Sequence, residues 1–352
     1  MAKVLLLSVA EEGSGGDSYK RGAYTRLKQS AETGKSRHSL VDDPAEADII
    51  LFAEVADMTF AFAVRRHSYY KSFQNKCFAF AAIDHLIPFL PGVYASIEKS
   101  WYSSRRIRSG FYLSIFENPY TDFDPVPIEH DLLYSFVGSV NTAPVRATLE
   151  KLRHPRSIFI DTTRESLPIH MTGTFEQRTV FWKKYAAIAS RSKFVLCPRG
   201  VGTSSVRLFE MMRMGRVPVI ISDEWVPPEG PEWEQFSIRV PENEAMNVPQ
   251  ILEKREDEAI SMGLKARQEW GRWFAPEAAF NTVVDWCLEI KDSRRLPECL
   301  ACLTVYPQIL RRTFFRAYLK RWKYFFKHEC LVQKKTRVAL ARGKQICNHT
   351  EI

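Results

Sequence analysis

The sequence predicts two doubly wound α/β domains, each a parallel sheet between layers of helices, joined by a proline-rich linker. Three observations carry that expectation. The chain has 352 residues, and single hydrophobic cores usually stop growing at about 250–300 residues. Apolar residues gather into short continuous runs, as in strands buried on both faces. Those runs alternate with helix-length segments, the pattern of right-handed β-α-β crossovers.

Val4–Val9, Ala47–Val55 (ADIILFAEV) and Cys77–Ile83 (CFAFAAI) read as strands of a first sheet, with a helix within Ser18–Ala31. Pro88, Pro91 and Gly92 punctuate the chain after the third strand. Trp101–Tyr112 mixes Trp, Tyr and Arg. It reads either as basic amphipathic cover over the core or as a stacking platform for a sugar. ENPYTDFDPVPIEHD follows, and its Pro119, Pro125 and Pro127 mark a linker. Asp122 and Asp124 there have Asp-x-Asp spacing, yet in a linker they read as solvated carboxylates rather than metal ligands.

A second series starts at Leu132. LLYSFVGS (132–139) is strand-like, Pro144–Leu152 helical, Ser157–Asp161 a strand and Thr174–Arg191 an amphipathic helix. Phe194–Cys197, a helix from about Ser204 to Met214, and Val217–Ser222 repeat the alternation. The expected domains are residues 1–127 and 128–295, followed by a helical tail, 296–352.

Composition is that of a soluble globular protein, with 45% hydrophobic and 26% charged residues. MAKVLLLSVA is too short to span a membrane and reads as the first strand, and no run approaches eighteen apolar residues. The expectation is a soluble, non-secreted, cytoplasmic protein. Seven cysteines, an odd number, argue against a disulfide framework. Cys299 and Cys302 form a lone C-x-x-C without the second pair a zinc site needs. The net charge of +9 is concentrated beyond residue 310, where twelve Lys/Arg meet only two Glu. The body is close to neutral, so no nucleic-acid groove is expected there. In the tail, Phe314, Phe315, Tyr318, Trp322, Phe325 and Phe326 interleave with basic residues. Two readings stand: the stripe packs on the body, or residues 311–344 lie peripherally on an anionic membrane.

The chemistry concentrates in residues 193–223, KFVLCPRGVGTSSVRLFEMMRMGRVPVIISD. A strand runs into a loop carrying Gly200, Gly202, Thr203, Ser204 and Ser205, and the loop opens a helix. Ligands of parallel sheets sit beyond the carboxyl ends of strands, and a helix N-terminus favours an anion. The loop is neither a Walker A motif nor a dinucleotide fingerprint. By itself it reads equally as a tight turn with a serine cap. Thr203, Arg207, Glu210 and Met214 share one helix face. Glu210 is thereby either a partner for a ribose below the loop or half of an Arg207–Glu210 surface ion pair.

The stretch KFVLCPRGVGTSSVRLFEMMRMGRVPVIISDEWVPP, followed by EWEQFSIRVPENE, resembles the exostosin-type glycosyltransferases of family 47. LYSFVGSVNTAPVR (133–146) is similar to their strand-Gly-Ser element with its following arginine. The resemblance covers about residues 132–245. Before that it is loose, through ADIILFAEV and PFLPG (88–92).

The resemblance implies a GT-B fold, in which two Rossmann-like domains face each other across a cleft. It implies inverting transfer from a nucleotide-sugar, with a UDP-sugar expected, to a hydroxyl of a glycan or glycolipid. No bound metal and no cofactor beyond the co-substrate are implied. Carried over residue by residue, Gly138, Ser139 and Arg146 approach the donor phosphates. Arg199 and the Gly200–Ser205 loop do the same, with Gly202, Thr203, Ser204 and Ser205 inside it. Arg199, Arg207 and Arg146 stabilise the departing diphosphate. Glu210 holds the ribose, and Asp223 sits near the donor sugar. The base is expected from the first domain, at a strand end. Asp84 is favoured, because strand, acid and PFLPG turn coincide, over His85, Glu54, Glu11, Glu12 and Asp17. Family members with an N-terminal anchor differ from this sequence, which suggests a bacterial-type cytosolic enzyme or a trimmed chain. A non-catalytic nucleotide- or glycan-binding protein, and a membrane-surface module acting through the tail, are the competing readings.

Overall fold

The computed structural model describes residues 1–10, 20–55, 60–84, 87–113, 118–124 and 130–305. The basic tail (311–344) and the candidate bases Glu11, Glu12, Asp17 and His85 lie outside the described residues.

The first sheet comprises β1 (Lys3–Leu7), β2 (Ser39–Leu40), β3 (Ile49–Glu54), β4 (Cys77–Ala81), β5 (Gly92–Tyr94) and β6 (Ile107–Ser109), in the order β2-β1-β3-β4-β5-β6. All of its pairings are parallel. The second comprises β7 (Leu132–Gly138), β8 (Ser157–Asp161), β9 (Ser192–Pro198), β10 (Val217–Ile221) and β11 (Ile238–Arg239), in the order β11-β10-β9-β7-β8. It too is wholly parallel. The expected α/β class, with two parallel sheets and covering helices, is therefore what the chain forms. β3, β4, β7 and β10 are buried at every residue, as continuous apolar runs require.

Sequence reasoning passes over β2, β5, β6 and β11, which are only two or three residues long. Trp101–Tyr112 is the largest correction. It is neither a basic cover over the core nor an open aromatic platform, because part of it forms the edge strand β6. Trp101, Arg106, Arg108 and Phe111 are all buried. Arg108 pairs with Glu229 and Glu289, each at 3.3 Å.

The described part of the linker, residues 118–124, docks as well. Asp122 reaches Arg213 at 3.5 Å and Arg267 at 3.6 Å, so it is not simply a solvated carboxylate. The expected domain boundary at residues 127–128 falls outside the described residues. The two sheets share one continuous core, in which Phe111 meets Phe274 (5.2 Å), Phe209 (6.2 Å) and Trp286 (6.3 Å). The Pro276–Ser293 helix follows the second sheet in sequence, yet it packs on the first sheet and on the Gly22–Ala31 helix. Residues 1–295 make one compact unit and 296–352 a second. In the latter, Cys302 Sγ contacts the Cys299 carbonyl at 3.4 Å within a short helix.

Local signals explain the helix boundaries near the second sheet. Thr174 and Gln177 close a capping box on the Phe175–Ser190 helix. Gly215, at φ +68°, ends the Val206–Arg213 helix in the left-handed conformation. The Gly215 and Arg216 amides return to the carbonyls of Met212 and Met211, so the chain turns directly into β10.

His130, just before β7, has an Nε2 that is buried and unpartnered among the described residues. Burial, aided by Arg216 and Lys193, lowers its pKa from 6.5 to about 4. The unfolded chain therefore binds more protons than the folded one between those values. Stability should rise with pH across that window and fall as pH drops through it. In urea unfolding at a series of pH values, His130→Asn should flatten the curve between about pH 4 and 6.5.

Candidate active site

A doubly wound sheet opens a crevice where its strand order reverses, beyond the carboxyl ends of the strands. In the second sheet that point lies between β7 and β9. The two loops leaving it, after Gly138 and after Pro198, are those that sequence reasoning singles out. They border a cavity of about 1030 Å³, which the Gly22–Ala31 helix and loops after strands of the first sheet also line. The two sheets thus frame one cleft, the arrangement expected of a GT-B fold.

Of the predicted site residues, Asp84, Gly138, Ser139, Arg146, Gly200, Ser204, Ser205, Arg207 and Glu210 line this cavity. Arg199, Gly202, Thr203 and Asp223 are not among its lining residues. Each of these four is engaged elsewhere.

The Arg199 Nε donates to Glu242 Oε1 at 2.8 Å. Glu242 Oε1 also accepts the Asp223 amide at 3.3 Å, and Asp223 Oδ1 accepts the Glu242 amide at 3.0 Å. The C-P-R-G, I-S-D and V-P-E motifs therefore meet in one polar cluster that ties together the carboxyl ends of β9, β10 and β11. Arg199 and Asp223, expected near the donor, are thus both engaged by Glu242 and stand outside the cavity lining. A carboxylate 43 residues away in sequence claims the guanidinium.

Gly202 and Thr203 turn toward the first sheet. The Thr203 amide donates to Ser96 Oγ (2.8 Å), and the Thr203 hydroxyl donates to the Ile97 carbonyl (3.0 Å). The Ser204 amide donates to the same Ser96 Oγ at 3.3 Å. A Cβ on Gly202 would stand 2.7 Å from the Asp84 carbonyl oxygen and 3.0 Å from its Cα. Gly202 is thus required for close backbone approach, but to the other half of the cleft. The amides of residues 203 and 204, expected to cradle phosphate, are satisfied by a serine.

Arg146 also differs from expectation. Its Nε donates to the Arg199 carbonyl (2.8 Å), its Nη1 to that of Ser139 (2.9 Å) and its Nη2 to that of Pro198 (3.1 Å). It clamps both crevice loops from within. Burial, with Arg207 nearby, lowers its pKa to about 9 and leaves it cationic at neutral pH.

The anion-binding potential lies at the start of the Val206–Arg213 helix. No side chain caps its Ser205 N-cap, so first-turn amides are left to an occupant of the cavity. Arg207 lies over the Phe136 ring at 4.7 Å, and its Nη2 donates to the Val137 carbonyl. Among the described residues, Arg207 Nε, Ser204 Oγ and Thr162 Oγ1 are buried without a hydrogen-bond partner. All three residues line the cavity. Unpartnered buried polar atoms are costly, and three around one cavity mark a polar ligand site.

Glu210, one turn further along, accepts a 2.7 Å hydrogen bond from the Tyr185 hydroxyl. Burial and the adjacent carboxylate push that phenol well above its ordinary pKa, so Tyr185 stays protonated and fixes one Glu210 oxygen. Sequence reasoning places Tyr185 only among the apolar positions of its helix. Phe181 reads the same way, and His170 and Trp182 are passed over; the three add an aromatic wall to the cavity, with His170 edge-on to Phe181 at 5.5 Å.

Across the cavity, Asp84 Oδ1 accepts from the Tyr112 hydroxyl at 2.5 Å. Glu54, the rival base, is only 3% exposed. Its Oε1 accepts from the Ser8 hydroxyl and from the Val9 and Ala10 amides at 2.6–2.7 Å. It anchors the chain leaving β1 and is not a cavity group. Among the described residues no cluster of three or more His, Cys, Asp or Glu side chains could hold a metal ion. No described helix is long and apolar enough to cross a membrane.

Two facing parallel sheets with a polar, helix-ended cavity between them define an α/β protein with a polar cleft. Residues 97–255 match the Exostosin GT47 domain model. Over that stretch the chain is similar to the exostosin-type domain of glycosyltransferase family 47. An exostosin-1 homolog of Caenorhabditis elegans is 39% identical over 71 residues, which is 20% of this chain and 19% of that protein. A probable glycosyltransferase of Arabidopsis thaliana is 32% identical over 131 residues, 36% of this chain and 22% of that protein. The chain thus spans about a fifth of the length of these relatives. Among solved structures, Anabaena HepE in complex with UDP aligns over 81% of this chain and 99% of its own, at 9% identity and a TM-score of 0.35.

Proposed function

We propose that the chain transfers a sugar, with inversion, from a nucleotide-sugar (a UDP-sugar is the expected donor) to a hydroxyl of a glycan or lipid-linked glycan. One observation carries this reading. An uncapped helix end ringed by unpartnered buried donors lies in the same cavity as a carboxylate from the opposite sheet.

In this reading the first turn of the Val206–Arg213 helix receives the donor diphosphate. Gly138, Ser139, Gly200, Ser204 and Ser205 border it. Arg207 and the helix end stabilise the charge that develops as the nucleotide diphosphate leaves. Glu210, held by Tyr185, accepts from ribose hydroxyls. Asp84 takes the proton of the acceptor hydroxyl as that oxygen attacks the anomeric carbon from the face opposite the leaving group. Arg26 and Gln29 of the Gly22–Ala31 helix, and Thr33 just after it, line the same cavity and offer polar contacts to an acceptor. The proposed setting is cytoplasmic, with the basic tail as a peripheral membrane contact.

A thermal-shift panel of nucleotide sugars tests the reading. The correct donor, at a hundredfold over its Kd, should stabilise the fold by about 2.7 kcal/mol. Glu210→Ala should remove the effect while melting normally without ligand. A panel in which no nucleotide sugar raises the melting temperature would sink the proposal, whereas binding without any turnover would favour a non-catalytic nucleotide-binding protein.

A further inference from the structure

The loop between β9 and the Val206–Arg213 helix has two faces. Gly200, Ser204 and Ser205 face the cavity. Gly202 and Thr203 face the first sheet, where Ser96 Oγ accepts two consecutive loop amides, those of Thr203 and Ser204. Ser96 and Thr203 are 5% and 7% exposed. The Ser96 and Thr203 hydroxyl oxygens are themselves 3.3 Å apart. Beside this junction, Gly202 sits against the Asp84 backbone so closely that no side chain fits. Tyr112, whose hydroxyl holds the Asp84 carboxylate, lies on the same floor of the cavity.

We propose that Ser96 is a positioning residue that fixes the donor-binding loop against Asp84, so that a donor seated on one face of the loop sets the carboxylate on the other. The inference rests on the proposed transferase reading and adds a residue to it that touches neither substrate. Several features favour a precise spacer over general packing. The contact is made by a single oxygen serving two adjacent amides, and rigid backbone stands behind it on both sides. A loop held this way transmits a small displacement directly to the Asp84 backbone. A misplacement of about 1 Å between reacting groups can cost about a hundredfold in rate.

The experiment uses the full chain and the donor that gives the largest shift in the nucleotide-sugar panel, with slow transfer to water as the turnover readout. Ser96→Ala should lower kcat about tenfold to a hundredfold while donor Kd, measured by calorimetry, changes less than about threefold. Ser96→Thr keeps the hydroxyl and should recover most of the loss. Gly202→Ala, whose Cβ would stand 2.4 Å from Ser96 Oγ and 2.7 Å from the Asp84 carbonyl oxygen, disturbs the same junction from the loop side and should reproduce the kcat defect. The inference is overturned if Ser96→Ala leaves kcat unchanged, if kcat and donor affinity fall together, or if Ser96→Thr behaves like Ser96→Ala. A wild-type chain that neither binds nor hydrolyses any nucleotide sugar overturns the transferase reading itself and this inference with it.

Discussion

Asp84→Asn should bind its nucleotide-sugar donor as tightly as the wild type and turn it over about a thousandfold more slowly, within the range general bases contribute. The substitution is close to isosteric. An asparagine oxygen can still accept the Tyr112 hydroxyl bond that now ends on Asp84 Oδ1. The Gly202 contact is to the Asp84 backbone and is untouched. What disappears is the ability to take a proton, so the loss should appear in kcat and not in donor Kd. Tyr112→Phe makes a useful companion. Removing its hydrogen bond leaves the carboxylate less restrained, and turnover should fall far less than in Asp84→Asn. Calorimetry for binding and donor turnover for rate decide the matter. If Asp84→Asn keeps turnover within about tenfold of wild type, the proton goes elsewhere, and Glu54 is a poor substitute because three hydrogen bonds already fix its Oε1.

The fold was legible where burial alone writes the pattern. β3, β4, β7 and β10 lie wholly inside, so hydrophobicity marks them without any help from periodicity. β2, β5, β6 and β11 are too short to form a pattern and exist because a longer neighbour offers a ladder edge. Of the site, the loops were legible and the side-chain partners were not. Glycine and serine beyond a strand end announce a crevice, and Gly138, Gly200 and Ser204 do border it. Arg199 was read as a phosphate ligand because a guanidinium after such a strand suits one. Its partner in the folded chain, Glu242, is a contact that no local spacing encodes. The Thr203 contact is hidden in the same way, since Ser96 stands 107 residues before it. Tyr185 was hidden for a different reason. On a helix whose apolar face packs inward, a phenol ring reads as core, and only the position of Glu210 shows that its hydroxyl carries a function.

Arg146→Ala should be the most destabilising change at the cleft, and for a reason unrelated to phosphate. The side chain is 8% exposed and donates to three carbonyls, from Ser139, Pro198 and Arg199. These carbonyls lie where the chain leaves β7 and β9: Pro198 ends β9, and Ser139 and Arg199 follow the two strands directly. Each buried acceptor left without a partner costs about 1–3 kcal/mol, and local entry of water offsets part of the sum, so a loss of about 3–5 kcal/mol is expected. Urea unfolding should show it as a lower midpoint with an unchanged slope. Arg146→Lys separates charge from geometry. It keeps the positive charge near the Phe136 ring, but one ammonium on a flexible stem cannot reproduce three N–H groups fixed in a plane. If Arg146 works as a clamp, the lysine variant should lose most of the same stability, and donor affinity should fall with it because both loops loosen together. If Arg146 instead acts mainly as a charge facing the donor, the lysine variant should stay as stable as the wild type and lose little affinity. That pair of measurements distinguishes a cleft whose arginines bind the ligand from one in which a buried arginine builds the loops and leaves binding to the helix end and Arg207.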